Sequence, residues 1–131
     1  MKYACFGYID EKSFEKVQEG EMNAMVDECF AYDDLLRKNG HFAGGEGLQT
    51  HRNSTTLRYQ DGKAVVTDGP FTETKEQVGG ILFLEAKDLN EAIRLISKHP
   101  GLKMGPWEIR PIQDLSSMMQ ASEARRRAAG R

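Results

Sequence analysis

Residues 66–80, VTDGPFTETKEQVGG, crowd Asp68, Glu73, Lys75 and Glu76 between a Gly-Pro bend and the Gly79-Gly80 pair. Pro70 fixes its own φ and restricts Gly69 before it, so Asp68 is held at a strand end beside a stiff turn. A carboxylate fixed in this way can act as a general base or can orient one. Glu73 and Lys75 add a second acid and a cation that could grip an anionic group or lower a neighbouring carboxyl pKa. The plainer reading is architectural: Asp68 caps the turn through local amides, and the charges are a solvated run.

Other residues could join that chemistry. Glu46 stands among glycines in GGEG (44–47) at the end of a strand. The glycines mimic a phosphate loop only superficially, because neither GxxxxGK[ST] nor GxGxxG occurs and an acid at the centre repels phosphate. Arg58 and Arg110 fall on strand-like segments and could hold an anionic substrate, or simply lie along a sheet edge. His41, His51 and His99 are far apart and form no ligand pattern, so neither a metal nor any other cofactor is expected. His99 reads as part of a helix stop, His99-Pro100-Gly101. Cys5 and Cys29 lie among apolar residues without metal-like spacing, as free thiols of a reducing compartment do. No GxSxG marks a serine nucleophile.

The elements that must carry these residues are legible from periodicity. KYACFGYI (2–9) reads as a buried first strand. Met22, Met25, Val26, Cys29, Phe30 and Leu36 follow helical spacing over 22–38, stopped by Asn39-Gly40. HFAGGEGL (41–48) is a strand with a glycine kink. STTLRYQ (54–60) and AVVT (64–67) flank Asp61-Gly62, a two-residue hairpin turn. GILFLEA (80–86) is the most apolar strand and belongs at the sheet centre. Asp88 and Glu91 form a capping box for a helix with Leu89, Ala92, Ile93 and Ile96 inward. PWEIRPI (106–112) is the last strand, bounded by prolines.

This β-α-β, hairpin, β-α-β order predicts an α+β fold of the ferredoxin-like split type, with both helices on one face of an antiparallel sheet. Strands such as ILFLE are apolar on both faces, so the bare face calls for a second subunit, and a homodimer is expected. The chain divides into a domain over 1–112 and a tail over 113–131 whose net charge is +2 against −4 for the rest. The tail reads as a solvated or frayed end, or as a short helix capped by Ser116 or Ser117 that clasps the partner. A net charge of −2 exerts no pull toward nucleic acid, and no apolar run reaches membrane-spanning length. Without a signal-peptide layout at the N-terminus, the expected location is the cytoplasm.

The DGPF-TETKEQ-GG block, with GGEGL and RYQDGKAVVTDGPF before it and WEIRPI after it, resembles the DGPF-domain branch of the YCII-related superfamily over roughly residues 1–112. The resemblance implies a bacterial protein with a ferredoxin-like fold that dimerises sheet to sheet into an α+β barrel. It also implies a His–Asp pair with the His on the first helix, and for a few relatives halide elimination from chlorinated muconate-type acids. Asp68 matches the expected Asp. Residues 22–38 hold no histidine; Asp27, Glu28, Cys29 and Tyr32 stand there instead. The acid–base roles therefore fall to Asp68 with Glu46, Glu73 or Lys75. The expected function is a lyase- or isomerase-like enzyme acting on a small anionic molecule in a cleft near the dimer interface. The alternative is a non-catalytic ligand-binding or regulatory protein, since some members of the branch are encoded beside extracytoplasmic-function sigma factors.

Overall fold

The computed structural model describes residues 1–130. A four-stranded antiparallel sheet is built from β1 (Lys2–Ile9), β2 (Phe42–Gly47), β5 (Gln77–Glu85) and β6 (Trp107–Pro111), in the order β2-β5-β1-β6. Between β2 and β5 the chain makes a separate hairpin, β3 (Thr55–Gln60) and β4 (Lys63–Asp68). Helices α1 (Glu19–Lys38), α2 (Leu89–Ser97) and α3 (Ser116–Ala128) complete the fold. The architecture is α+β, as the alternation of strand and helix periodicities requires.

Strand parity decides what is buried. Tyr3 and Cys5 of β1 stand opposite Leu84 and Leu82 of β5, and all four are buried with Leu36 of α1 and with Ala92 and Ile96 of α2. The intervening residues point to the other face, where Ala4 pairs with Phe83 and Phe6 with Ile81, and none of these is buried. Phe83 keeps 37% of its surface exposed. One sheet face is thus a core and the other is an uncovered apolar surface.

The caps follow the sequence closely. Asp88 accepts from the Glu91 amide at 2.8 Å, and the Glu91 carboxylate accepts from the Lys87 amide at 3.1 Å. Asp61, at φ 52°, and Gly62, at φ 79°, make the tight β3–β4 turn. Two details differ from expectation. Helix α1 begins at Glu19, three residues early, which brings Gly20 into its first turn. The cap of α3 is Leu115, not a serine; Asp114 instead accepts from the amide and hydroxyl of Ser116. The expected hydroxyl role is filled by a carboxylate two residues earlier, a stronger acceptor for a helix N-terminus. No residue of α3 is buried.

Candidate active site

Helix α1 lays Met22, Met25, Val26, Cys29, Tyr32 and Leu36 toward the sheet. Asp33 sits on the same face, one turn after Cys29 and three residues before Leu36. A carboxylate at a core register must find a partner or stay near water. It finds His99, at the turn after α2, with Nε2 2.9 Å from Asp33 Oδ1. The histidine is buried, with 5% of its side chain exposed, while Asp33 keeps 23%.

Every side of His99 is fixed. Its Nδ1 accepts from the Gly101 amide at 2.9 Å, so the imidazole caps the Pro100–Lys103 turn as an Asn or Asp side chain would. The Tyr32 ring meets it edge-on at 5.3 Å between centroids, and the Trp107 ring lies tilted across it at 5.1 Å. The Tyr32 hydroxyl donates to the Leu95 carbonyl, which ties α1 to α2, and burial pushes its pKa up. Trp107 can approach because Gly7 opposes it in the sheet. A Cβ at Gly7 would come within 2.8 Å of the indole.

Asp33 and His99 open onto a cavity of about 460 Å³ between α1 and the end of the sheet. Phe30, Phe42, Met104 and Trp107 give it apolar walls, and the glycines of β2 and β5 keep its floor clear. The β1–β5 ladder shifts register between Gly7 and Tyr8, beside this floor. Arg37 lies at the rim, bonded to Asp34 at 2.6 Å and stacked 4.3 Å above the Phe42 ring. Cys29 also lines the cavity; burial raises its thiol pKa, with the charges of Asp33 and Glu28 adding to the effect.

Of the residues nominated from sequence, only Glu46 is on the lining of this cavity, and its register opposite Ile81 puts its side chain on the sheet face away from α1. Asp68 is exposed at the end of β4, paired through its backbone with Thr55. Glu73 and Lys75 line a separate polar cleft of about 450 Å³ with Asp10, Glu11, His51 and Arg52. There Lys75 Nζ is 3.8 Å from Asp10. Glu73 and Glu76 lie in an irregular loop. Arg58 donates to the Phe71 carbonyl at 3.4 Å and rests over that ring, and so braces the DGPF loop. Arg110 is exposed and paired with Glu108 at 2.7 Å. The Arg110 hydrogen bond, reinforced by the Tyr8 hydroxyl, holds the Glu108 carboxyl below its ordinary value.

Sequence reading missed Asp33 and His99. One signal was available: Asp33 occupies a buried register of the α1 pattern. The partner was not legible, because sixty-six positions separate the two residues and only the sheet brings the turn after α2 against α1. Among the described residues no group of three His, Cys, Asp or Glu converges as a metal ion would need.

Residues 1–116 match the family of YCII-related domains. An uncharacterised protein of Rhizobium meliloti (strain 1021) is 29% identical over 116 residues, covering 86% of this chain and 92% of the relative. Among solved structures, 5-chloro-2-hydroxyhydroquinone dehydrochlorinase of Burkholderia phenoliruptrix AC1100, in complex with 2,5-dihydroxybenzoquinone, aligns over 86% of this chain and 94% of its own. The TM-score is 0.45 and the sequence identity 17%.

Proposed function

Since the chain belongs to the YCII-related domain family, we propose that it is a small-molecule acid–base enzyme, lyase- or isomerase-like, working in the Asp33–His99 cavity. The observation that carries this reading is a hydrogen-bonded carboxylate–imidazole pair opening onto an apolar, glycine-floored cavity. A hydrogen-bonded acid–base pair lining an apolar cleft with few polar groups is the default place for proton-transfer chemistry. Arg37 supports an anionic substrate, because it is the one lysine or arginine on the lining. Asp34 already pairs with it and Asp33 adds a second carboxylate, so the lining excludes a substrate with several negative charges. A small monoanion is the most that fits, with its charged end at Arg37 on the rim, where it would compete with Asp34, and its apolar, reacting end at Asp33. This reading moves the acid–base role from Asp68, Glu73 and Glu46 to Asp33.

The functional unit in this reading is a ferredoxin-like homodimer closed sheet to sheet into an α+β barrel. Support comes from the uncovered Phe83 and from a hairpin that stands alone while exposing Leu57, Tyr59 and Val66. A lone two-stranded hairpin is marginal in water and needs a surface to rest on.

The test is a screen of small oxo- and hydroxy-acids in D₂O, followed by proton NMR. The wild-type chain should exchange or rearrange at least one of them, and Asp33→Asn should abolish that reaction. Turnover that survives Asp33→Asn and disappears with Asp68→Asn would return the site to the DGPF loop. Saturable binding with no turnover by any compound would favour a ligand sensor over an enzyme.

A further inference from the structure

The hydrogen bonds around His99 assign the two members of the pair unequal tasks, and we infer that Asp33 is the group that takes the proton while His99 is a locked, neutral donor that positions it. The inference rests on the acid–base reading of the cavity and goes beyond it by naming the base and the substrate class.

Both imidazole nitrogens are committed. The Gly101 amide can only donate, so Nδ1, 2.9 Å away, must carry a lone pair and no proton. The single ring proton of the neutral form then resides on Nε2 and points at Asp33 Oδ1, 2.9 Å off. A second proton on Nδ1 would confront the Gly101 N–H head-on. No lone pair of His99 is left to face a substrate. Exposure agrees, since both residues line the cavity but the imidazole keeps 5% of its side chain exposed and the Asp33 carboxylate 23%. The Tyr32 and Trp107 rings leave the imidazole no room to swing out. In a catalytic triad a buried carboxylate orients a reactive imidazole. Here a buried imidazole orients a reactive carboxylate, and Asp33 keeps its second oxygen for the cavity.

This order limits the chemistry. A carboxylate is a weak base. It removes a C–H proton where an adjacent electron-withdrawing group, in a small organic acid most simply a carbonyl, accepts the electron pair. The substrate class is thus a small acid bearing a carbonyl-activated carbon. Asp33 takes the proton from that carbon, and the C–H electron pair becomes the C=C bond of an enolate. The enolate then collapses in one of three ways. The Asp33 carboxyl returns a proton to the same carbon, seen as exchange in D₂O; it returns the proton to the far carbon of a conjugated C=C; or a β-substituent leaves with its bonding pair.

Two measurements on the full chain test the assignment. The first is a two-bond proton–nitrogen spectrum of the histidine rings at pH 7.5, with His99 assigned by comparison with His99→Gln. The expected result is a protonated Nε2 and a bare Nδ1; a proton on Nδ1 overturns the inference whether or not any substrate is known. The second uses 2-oxobutanoate in D₂O as probe and follows loss of the C3 proton signal. Asp33→Asn should slow enzyme-catalysed exchange by about 100-fold or more, the range expected for loss of a general base. His99→Ala should slow it as well. His99→Gln restores an N–H donor near the Nε2 position and should recover the rate to within about tenfold of wild type. If His99→Gln is as inactive as Asp33→Asn, or if Asp33→Asn keeps its rate, His99 is the base and the inference fails. If the wild-type chain exchanges nothing, the acid–base reading fails, and the ring spectrum still decides whether His99 is the locked donor.

Discussion

Asp33 Oδ1 and His99 Nε2 lie 2.9 Å apart and join two segments that are distant in the chain, the middle of α1 and the turn after α2. The bond therefore has a structural role as well as a chemical one. His99 also holds the Gly101 amide and fills the space between Tyr32 and Trp107. His99→Ala should leave a carboxylate and an amide unpaired near the core, each costing about 1–3 kcal/mol. His99→Asn should recover part of that loss, since its amide oxygen can accept from Gly101 in the same capping geometry. Urea midpoints of the three proteins check the order, wild type above Asn above Ala. A midpoint for Ala equal to wild type would show that the pair contributes nothing to the fold.

Acid should weaken this fold through carboxylates far from the cavity. The Lys87 amide, helped by His41, Arg94 and Lys87, holds the Glu91 carboxyl below its ordinary value. Glu108 is lowered by Arg110 and Tyr8, and Asp114 by Ser116. Each folded-state pKa lies below its unfolded counterpart, so each carboxylate contributes stability above the unfolded value. That contribution disappears as pH falls through the folded one. The urea midpoint should thus drop between pH 7 and pH 3. It should drop by less in Glu91→Gln, which has no charge to lose at that cap. Equal drops in both proteins would remove Glu91 from the acid response.

The bare sheet face predicts assembly. Phe83, Phe6 and Ile81 point away from α1 and α2, and no residue of α3 is buried against them. Light scattering after size exclusion should give twice the chain mass. Phe83→Glu should halve it without disturbing near-ultraviolet circular dichroism, because a buried unpaired charge at an interface is strongly unfavourable. A wild-type monomer would refute the barrel and leave the hairpin face to some other partner.

Local signals carried most of the fold into the sequence. Asp61-Gly62, the Asp88–Glu91 box and the strand alternation of β1 and β5 each act over a few residues, and each lies where its pattern placed it. Helix α1 started early because its first turn, with Glu19 and Glu21, suits a helix N-terminus better than a Gly20 breaker opposes it. The candidate site was less legible for a different reason. The DGPF block is conspicuous in the sequence because its chemically active residues are adjacent. Its charges mostly brace a loop: Arg58 against Phe71, Lys75 toward Asp10. Asp33 and His99 meet only through tertiary packing. The first is hidden in an amphipathic helix and the second in what reads as a helix stop.

Trp107 is the single tryptophan of the chain and lines the cavity, so its fluorescence reports directly on occupancy. Gly47 lies on the same floor, and a Cβ built there meets nothing within 4 Å, so Gly47→Leu should fill space without straining the strand. Titration of wild-type protein with a panel of small carbonyl-bearing monocarboxylic acids should give a saturable change in Trp107 emission. Gly47→Leu should weaken it by about tenfold or more, a loss near 1.4 kcal/mol. No saturable change across the panel, or binding that leaves Trp107 silent and ignores Gly47→Leu, would contradict the placement of the site between Asp33 and the glycine floor.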